Sequence, residues 1–233
     1  MPPYFNIVKP ATLAPAELDH LLAWGWYRTQ QMIFTTSHLD AEHQHPVHWL
    51  RYPVEAIADT RQHRKMRRRC APFRVAINEA RIIDPIYLSL HQRYYRSIDF
   101  DGATSIQDCL FGSDLPEHSI YDTQCISLWD GERLVAAGYF DKGLDSAASI
   151  LHFYDPDYSR YGLGKWLVLL TVDYLRAQGF RHYYPGYVVE NLPKMDYKLF
   201  LGCHHAQYFD AETHQWLPFH PRIVQERVSI KII

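Results

Sequence analysis

Residues 147–189 read AASILHFYDPDYSRYGLGKWLVLLTVDYLRAQGFRHYYPGYVV, and this stretch decides the fold. It opens on an apolar, aromatic strand, Ala147–Tyr154. A loop over 155–162 leads to Gly162-Leu163-Gly164, where a helix begins. Leu163, Trp166, Leu167, Leu170 and Tyr174 recur at three- and four-residue spacing on one face of that helix, which stops at Gly179. Phe180–Val189 follows as a Tyr-rich strand. A strand, a helix and a strand joined this tightly predict two parallel strands linked by a right-handed crossover.

The flanks give the rest of the sheet. Upstream, Gln124–Trp129 and Arg133–Asp141 read as strands around the hairpin turn Asp130-Gly131. Downstream come a short helical segment over 193–200 and a hairpin over 206–218. Antiparallel strands feeding one parallel crossover predict a GNAT-type (N-acetyltransferase-like) α/β fold, a mixed, mostly antiparallel sheet with flanking helices. Further upstream, helices are expected over 12–24, over 84–97 behind the Asp84-Pro85 cap, and over 105–111 before Gly112. Residues 32–36, 47–54 and 73–77 read as extended. A boundary near 78–84 is expected to separate an N-terminal subdomain, 1–80, from a catalytic domain, 81–233.

Bulk properties narrow the function. The 233 residues suffice for a sizeable core, and 47% apolar with 21% charged residues is ordinary for a globular protein. No apolar run is long enough for a membrane span. The start, Met1-Pro2-Pro3-Tyr4-Phe5, lacks the pattern of a signal peptide. Cys70, Cys109, Cys125 and Cys203 are scattered, which predicts free thiols in a reducing, cytoplasmic setting. The formal charge of −2 is uneven: Arg61–Arg69 carries +6 and the remainder −8. Such a patch is either a phosphate or nucleic-acid contact or a solvated helix face. Gly162 and Gly164, between a strand and a helix N-terminus, offer free N–H groups to a phosphate or oxyanion, or serve only to turn the chain.

Three windows together resemble the arginyl/leucyl-tRNA–protein transferase family. They are Phe153-Tyr-Asp-Pro-Asp157 with Leu163-Gly164 beyond it, Tyr183-Tyr-Pro-Gly-Tyr187, and Pro193-Lys-Met-Asp-Tyr-Lys198. Weaker similarity covers Gly25-Trp-Tyr-Arg28 and Met66-Arg-Arg-Arg-Cys70. The resemblance implies a GNAT fold used without CoA. It implies an enzyme that takes an amino acid, Arg or Leu, from aminoacyl-tRNA to the N-terminus of an acceptor protein, often one beginning with Asp or Glu, marking it for degradation. Two features depart from the family. His38, His43, His45 and His48 stand where the family has a cysteine cluster, so no metal site is carried over, although four His within eleven residues are metal-ligand types. Gly162 makes the loop resemble a CoA-binding loop, which leaves an acetyl-CoA-dependent N-acyltransferase as the alternative.

The chemistry sorts the candidates. An activated ester meeting an amine needs positioning more than a strong base. Arg28, Arg67, Arg68 and Arg69 are the bidentate partners for an acidic acceptor residue, and the basic run with Gly162 and Gly164 the phosphate contacts. Tyr184 and Tyr187 are candidates for stacking unpaired bases, with Tyr27 beside Arg28. Lys194, Tyr197 and Lys198 hold the ester carbonyl or a phosphate, or are surface charge around a packed Tyr. Asp155 and Glu190 are candidate bases or amine binders, with turn formation before Pro156 an equal reading of Asp155. His152 reads as a core histidine.

Overall fold

A computed structural model describes residues 3–39, 45–80, 84–99, 102–190 and 192–224. In chain order the elements are β1 (Phe5–Val8), α1 (Pro15–Ala23), β2 (Tyr27–Thr29), β3 (Met32–Thr36), β4 (Val47–Pro53), α2 (Arg61–Cys70), β5 (Arg74–Glu79), α3 (Pro85–Tyr95) and α4 (Ile106–Leu110). They continue with β6 (Thr123–Asp130), β7 (Arg133–Lys142), β8 (Ser146–Tyr154), α5 (Leu163–Ala177), β9 (His182–Val189), β10 (Gln207–Asp210) and β11 (Gln215–Pro218). Eight strands form one sheet in the order β11-β10-β4-β9-β8-β7-β6-β5, and β1-β3-β2 form a second, small one. In the large sheet β8 and β9 pair in parallel and the other neighbours antiparallel. α5 is the crossover between the parallel pair. This is the mixed α/β, GNAT-like architecture that the 147–189 stretch implies.

The expected boundary at residue 80 does not divide this sheet. β4 lies between β9 and β10, and β5 pairs with β6 along its whole length. Both strands precede residue 81, so the N-terminal third is built into the sheet. The physical reason is long-range pairing, which composition along the chain does not register. The β1-β3-β2 sheet is hydrogen-bonded separately, yet with α1 it packs onto the large sheet, Leu18, Leu22 and Ile33 meeting Trp49, Ala148 and Tyr184.

Local rules place the helices. Asp84 accepts from the Ile86 N–H at 2.9 Å, with Pro85 in the first turn of α3. Thr60 caps α2 by accepting from the His63 N–H. α5 is buried more widely than a single stripe: Leu163, Trp166 and Leu167 are enclosed as expected, together with Val168, Leu169, Val172 and Leu175. Leu170 and Tyr174 are only half-buried. The helix is covered on two sides, by the sheet and by α2 with the 3-10 turn Val54–Ala56.

The decisive local event is that β8 and β9 part company. Their parallel pairing ends at Ala148–Tyr184. The next residue of β9 is Pro185, which has no N–H to continue the ladder. On the other side β8 bulges: Leu151 pairs with Tyr139 and Ser149 with Phe140, which leaves Ile150 as an extra residue. Gly186 follows at φ +98°, a conformation open to glycine. The two strands therefore diverge into a split, and the split is where the cavities lie.

Candidate active site

Two hollows meet at the split. The larger, about 690 Å³, is walled by α3, the N-terminus of α5, β8 and the 3-10 turn Pro193–Leu199. The smaller, about 300 Å³, is walled by β2, β8, β9 and the same turn. Ile150, Leu151, His152, Tyr197 and Lys198 line both. Gly162 and Gly164 therefore face the same space as Tyr197 and Lys198.

Lys198 sits at the junction. Its Nζ donates to the Tyr187 carbonyl at 2.7 Å and lies 4.8 Å from the centre of the Tyr187 ring. Burial pulls its ammonium down to about 8. His152, across the junction, is half-buried, and its Nε2 is 3.1 Å from Ser149 Oγ. Burial, with the nearby Lys198 charge, lowers the imidazole to about 4, so it is neutral at pH 7. Tyr197 is 41% exposed, on the wall shared by both hollows.

The larger hollow has a cationic end and an aromatic side. α5 starts at Gly162, at φ +69°, with no side chain capping its first N–H groups. Trp166 N–H already bonds Gly162 O, so the N–H groups of residues 163–165 precede the helical ladder and face an anion favourably. Arg69, Arg160 and Lys165 line the same end, and an Arg69 Nη stands 3.3 Å from where a Gly162 Cβ would be. His91, Tyr94, Tyr95 and Tyr154 form the aromatic side, with the Tyr94 and Tyr154 rings 5.0 Å apart.

Several expected residues are occupied elsewhere. The Arg28 guanidinium is fully engaged: it pairs with Asp141 at 2.6 Å, donates to Thr123 Oγ1 at 2.8 Å and to Gln30 O at 2.7 Å, bonds Leu110 O, and lies over the Tyr121 ring. It is a structural charge, not a free hook for an acidic residue. Arg67 forks onto Asp173, and Arg68 is exposed outside both hollows, so of the three consecutive arginines Arg69 faces the cleft. Asp155 is no base. Burial alone would raise it, but bonds from Arg133, the Asp157 N–H and Arg93 outweigh this and hold its carboxyl below the usual range. It ties down the turn that starts at Pro156.

The tyrosine strand is also divided by its alternation. Tyr184 points into the core against Trp216, while Tyr187 lines the smaller hollow and packs edge-on against Trp49. Tyr27 is buried and its hydroxyl contacts the carbonyls of Ser149 and Tyr184, one on each diverging strand, so it braces the split. Glu190 sits at the end of β9, 3.3 Å from His48 Nε2 and outside both linings. Lys194 lies in the turn with Tyr197 and Lys198, but its side chain falls outside the described residues, as does His43. His38 Nδ1 bonds Ser37 Oγ. Among the described residues no group of three or more His, Cys, Asp or Glu is poised to hold a metal, and no helix is long and apolar enough to cross a membrane.

Sequence reasoning missed His91, Tyr94 and Tyr95, because nothing in α3 signals that it will fold over the split. Tyr154 falls in a window that carries the resemblance and Arg160 in the loop before Gly162, and spacing alone assigns neither a role. His152 was set aside as core, and only the neighbouring Lys198, 46 residues away in sequence, marks it otherwise.

Residues 87–206 match the family described as arginine-tRNA-protein transferase, C terminus. The chain is 26% identical to an aspartate/glutamate leucyltransferase of Stenotrophomonas maltophilia over 185 residues, covering 76% of this chain and 71% of that one. It is 27% identical to a protein of the same name from Acinetobacter baumannii, covering 64% of this chain and 55% of the relative. Among solved structures, the C-terminal domain of a putative lysylphosphatidylglycerol synthetase from Agrobacterium fabrum superposes with a TM-score of 0.45 at 11% identity, covering 60% of this chain and 46% of that chain.

Proposed function

Because the chain belongs to the arginine-tRNA-protein transferase family and is an aminoacyltransferase, we propose that it moves an amino acid from charged tRNA to the N-terminus of acceptor proteins that begin with Asp or Glu. Leu or Arg is the amino acid, and the names of the relatives favour Leu. The product enters N-degron degradation in the cytoplasm. Aminoacyl-tRNA is the co-substrate.

One observation carries this reading: two hollows of unequal size open onto the same lysine. The larger suits the tRNA end. Arg69, Arg160, Lys165 and the start of α5 receive phosphates, and Tyr94, Tyr95 and Tyr154 offer faces to unpaired bases. The smaller suits an extended peptide N-terminus. The ester carbonyl then lies at the junction, where the Lys198 ammonium donates to the oxyanion that forms as the amine attacks. The acceptor amine, with an ordinary pKa of ~7.7–8.0, is about a tenth or more neutral at pH 7. Holding ester and amine together supplies about 7–11 kcal/mol of the barrier, more than a general base typically gives. Tyr27 and the bulge at Ile150 keep the strands at a fixed separation, which is the positioning this reaction needs.

The test is direct. Radiolabelled leucyl-tRNA and arginyl-tRNA are offered separately with peptides beginning Asp, Glu or Ala. Label should pass to the Asp and Glu peptides and vanish after RNase digestion of the donor. Transfer that survives RNase, or that runs from acetyl-CoA instead, would sink the proposal.

A further inference from the structure

Lys198 is not alone at the junction. His152 also lines both hollows, and its ring lies against Gly138, where an added Cβ would fall 2.6 Å from Cδ2. Glycine at 138 thus makes room for an imidazole at the split. The Nε2 side is taken by Ser149 Oγ, and among the described residues nothing bonds Nδ1. The ring is neutral at pH 7. The ionisable groups around it are Lys198 and Tyr197 from the turn, Tyr27 and Arg28 from β2, Tyr187 from β9, and His91 and Tyr94 from α3. Arg28 is already paired with Asp141, and no carboxylate lines either hollow among the described residues. Among the described residues the junction therefore holds one imidazole, neutral at rest and with no carboxylate beside it, placed where an attacking amine and a departing oxygen would meet.

We propose that His152 is a catalytic residue that carries the proton from the attacking amine to the leaving ribose oxygen, with Ser149 as the positioning residue that fixes its tautomer. The proposal rests on the transfer reaction above. With Nε2–H donating to Ser149 Oγ, the Nδ1 lone pair faces the reactants. The amine nitrogen attacks the ester carbon; the C–N bond forms and the nitrogen becomes cationic. Nδ1 takes one proton from that nitrogen. As the C–O bond to the ribose breaks, the imidazolium gives the proton to the departing oxygen. An amide and a free tRNA hydroxyl result, and the imidazole is neutral again. Lys198 stays charged throughout and stabilises the oxyanion. The ring takes the proton from a nitrogen made acidic by the positive charge it gains on attack, and the developing oxyanion beside it offsets the Lys198 charge that holds the free imidazole low.

His152→Ala and His152→Gln are compared with the wild-type chain using charged tRNA and an Asp-initiated peptide. We expect kcat to fall about 10²-fold in both, with KM for either substrate changed less than about threefold. Added imidazole should restore part of the activity of His152→Ala and none of that of His152→Gln, whose amide fills the space. A purely structural histidine would give no such rescue. If kcat stays within about threefold of wild type, or falls without rescue in the alanine variant, the proposal is overturned. Should neither variant fold, Ser149→Ala is measured instead: a fall of about tenfold in kcat with unchanged melting temperature supports the relay, and unchanged kcat overturns it. Absence of transfer by the wild-type chain itself would remove the transferase reading as well, so the two failures are distinct.

Discussion

Two cations border the smaller hollow and differ in every physical respect. Arg28 and its partner Asp141 are almost completely enclosed, at 1% and 0% side-chain exposure, and the guanidinium is saturated by a carboxylate, a hydroxyl, two carbonyls and an aromatic face. Lys198 has one carbonyl and one ring. The first charge is satisfied by the fold. The second is held where solvation is poor and partners are few, so it has interactions to spare for a reactant. Partner count, rather than the mere presence of a cation, separates the charge that the fold consumes from the one it leaves with few partners.

The sharpest way to break the contrast is to remove each cation in turn. Arg28→Met leaves Asp141 buried and unpaired, with its Oδ2 already lacking a partner. It should cost about 3–5 kcal/mol of stability, read by urea unfolding. Arg28→Met combined with Asp141→Leu should recover most of that loss, since replacing both ions removes the desolvation problem. If the single variant unfolds at the wild-type midpoint, Arg28 is not the structural charge described.

Lys198→Met should do the reverse. Transfer should fall about 10²–10³-fold, as when one oxyanion donor is lost, with the unfolding midpoint unchanged or higher. The pH dependence has a defined sign. Folding pulls this lysine from its ordinary 10.5 to about 8, so between those values the unfolded chain binds more protons than the native one. Native stability therefore rises with pH across that window, and Lys198→Met should flatten the rise. In the rate profile, kcat/KM should increase as the acceptor amine deprotonates and decline above about 8 as Lys198 loses its proton. A profile that keeps climbing through pH 9 would exclude an ammonium role.

How far the sequence told these two cations apart is instructive. The crossover at 147–189 was legible because its periodicities are local: period two, then three and four, then two again. Lys198 and Gly162 were singled out separately through motif spacing, and the structure lines one hollow with both. Arg28 was misread because its partner lies 113 residues away and nothing near it in sequence is acidic. Sequence reasoning leaves Asp155 open between a base and a turn-former, because the two arginines that engage it come from α3 and β7. The split itself was not foreseen: residues 180–189 read as one continuous strand, and the matching bulge at Ile150 is a register effect that only the pairing with β7 reveals.

The smallest expected effect concerns the basic run, where the same distinction applies among neighbours. Arg67 is consumed by Asp173, whereas Arg69 faces the larger hollow beside Gly162. Arg69→Gln should therefore weaken binding of uncharged tRNA a few-fold and reduce the slope of log K against log salt by ~0.7–0.9, the amount due to one phosphate contact. Arg67→Gln should leave that slope unchanged and lower stability instead, by about 1 kcal/mol, because a half-exposed bidentate pair is worth little more. Equal salt slopes for the two variants would mean that α2 meets the tRNA as a diffuse positive surface. A difference confined to Arg69 would mean that a specific phosphate sits at the start of α5, within reach of the same cavity that holds Lys198.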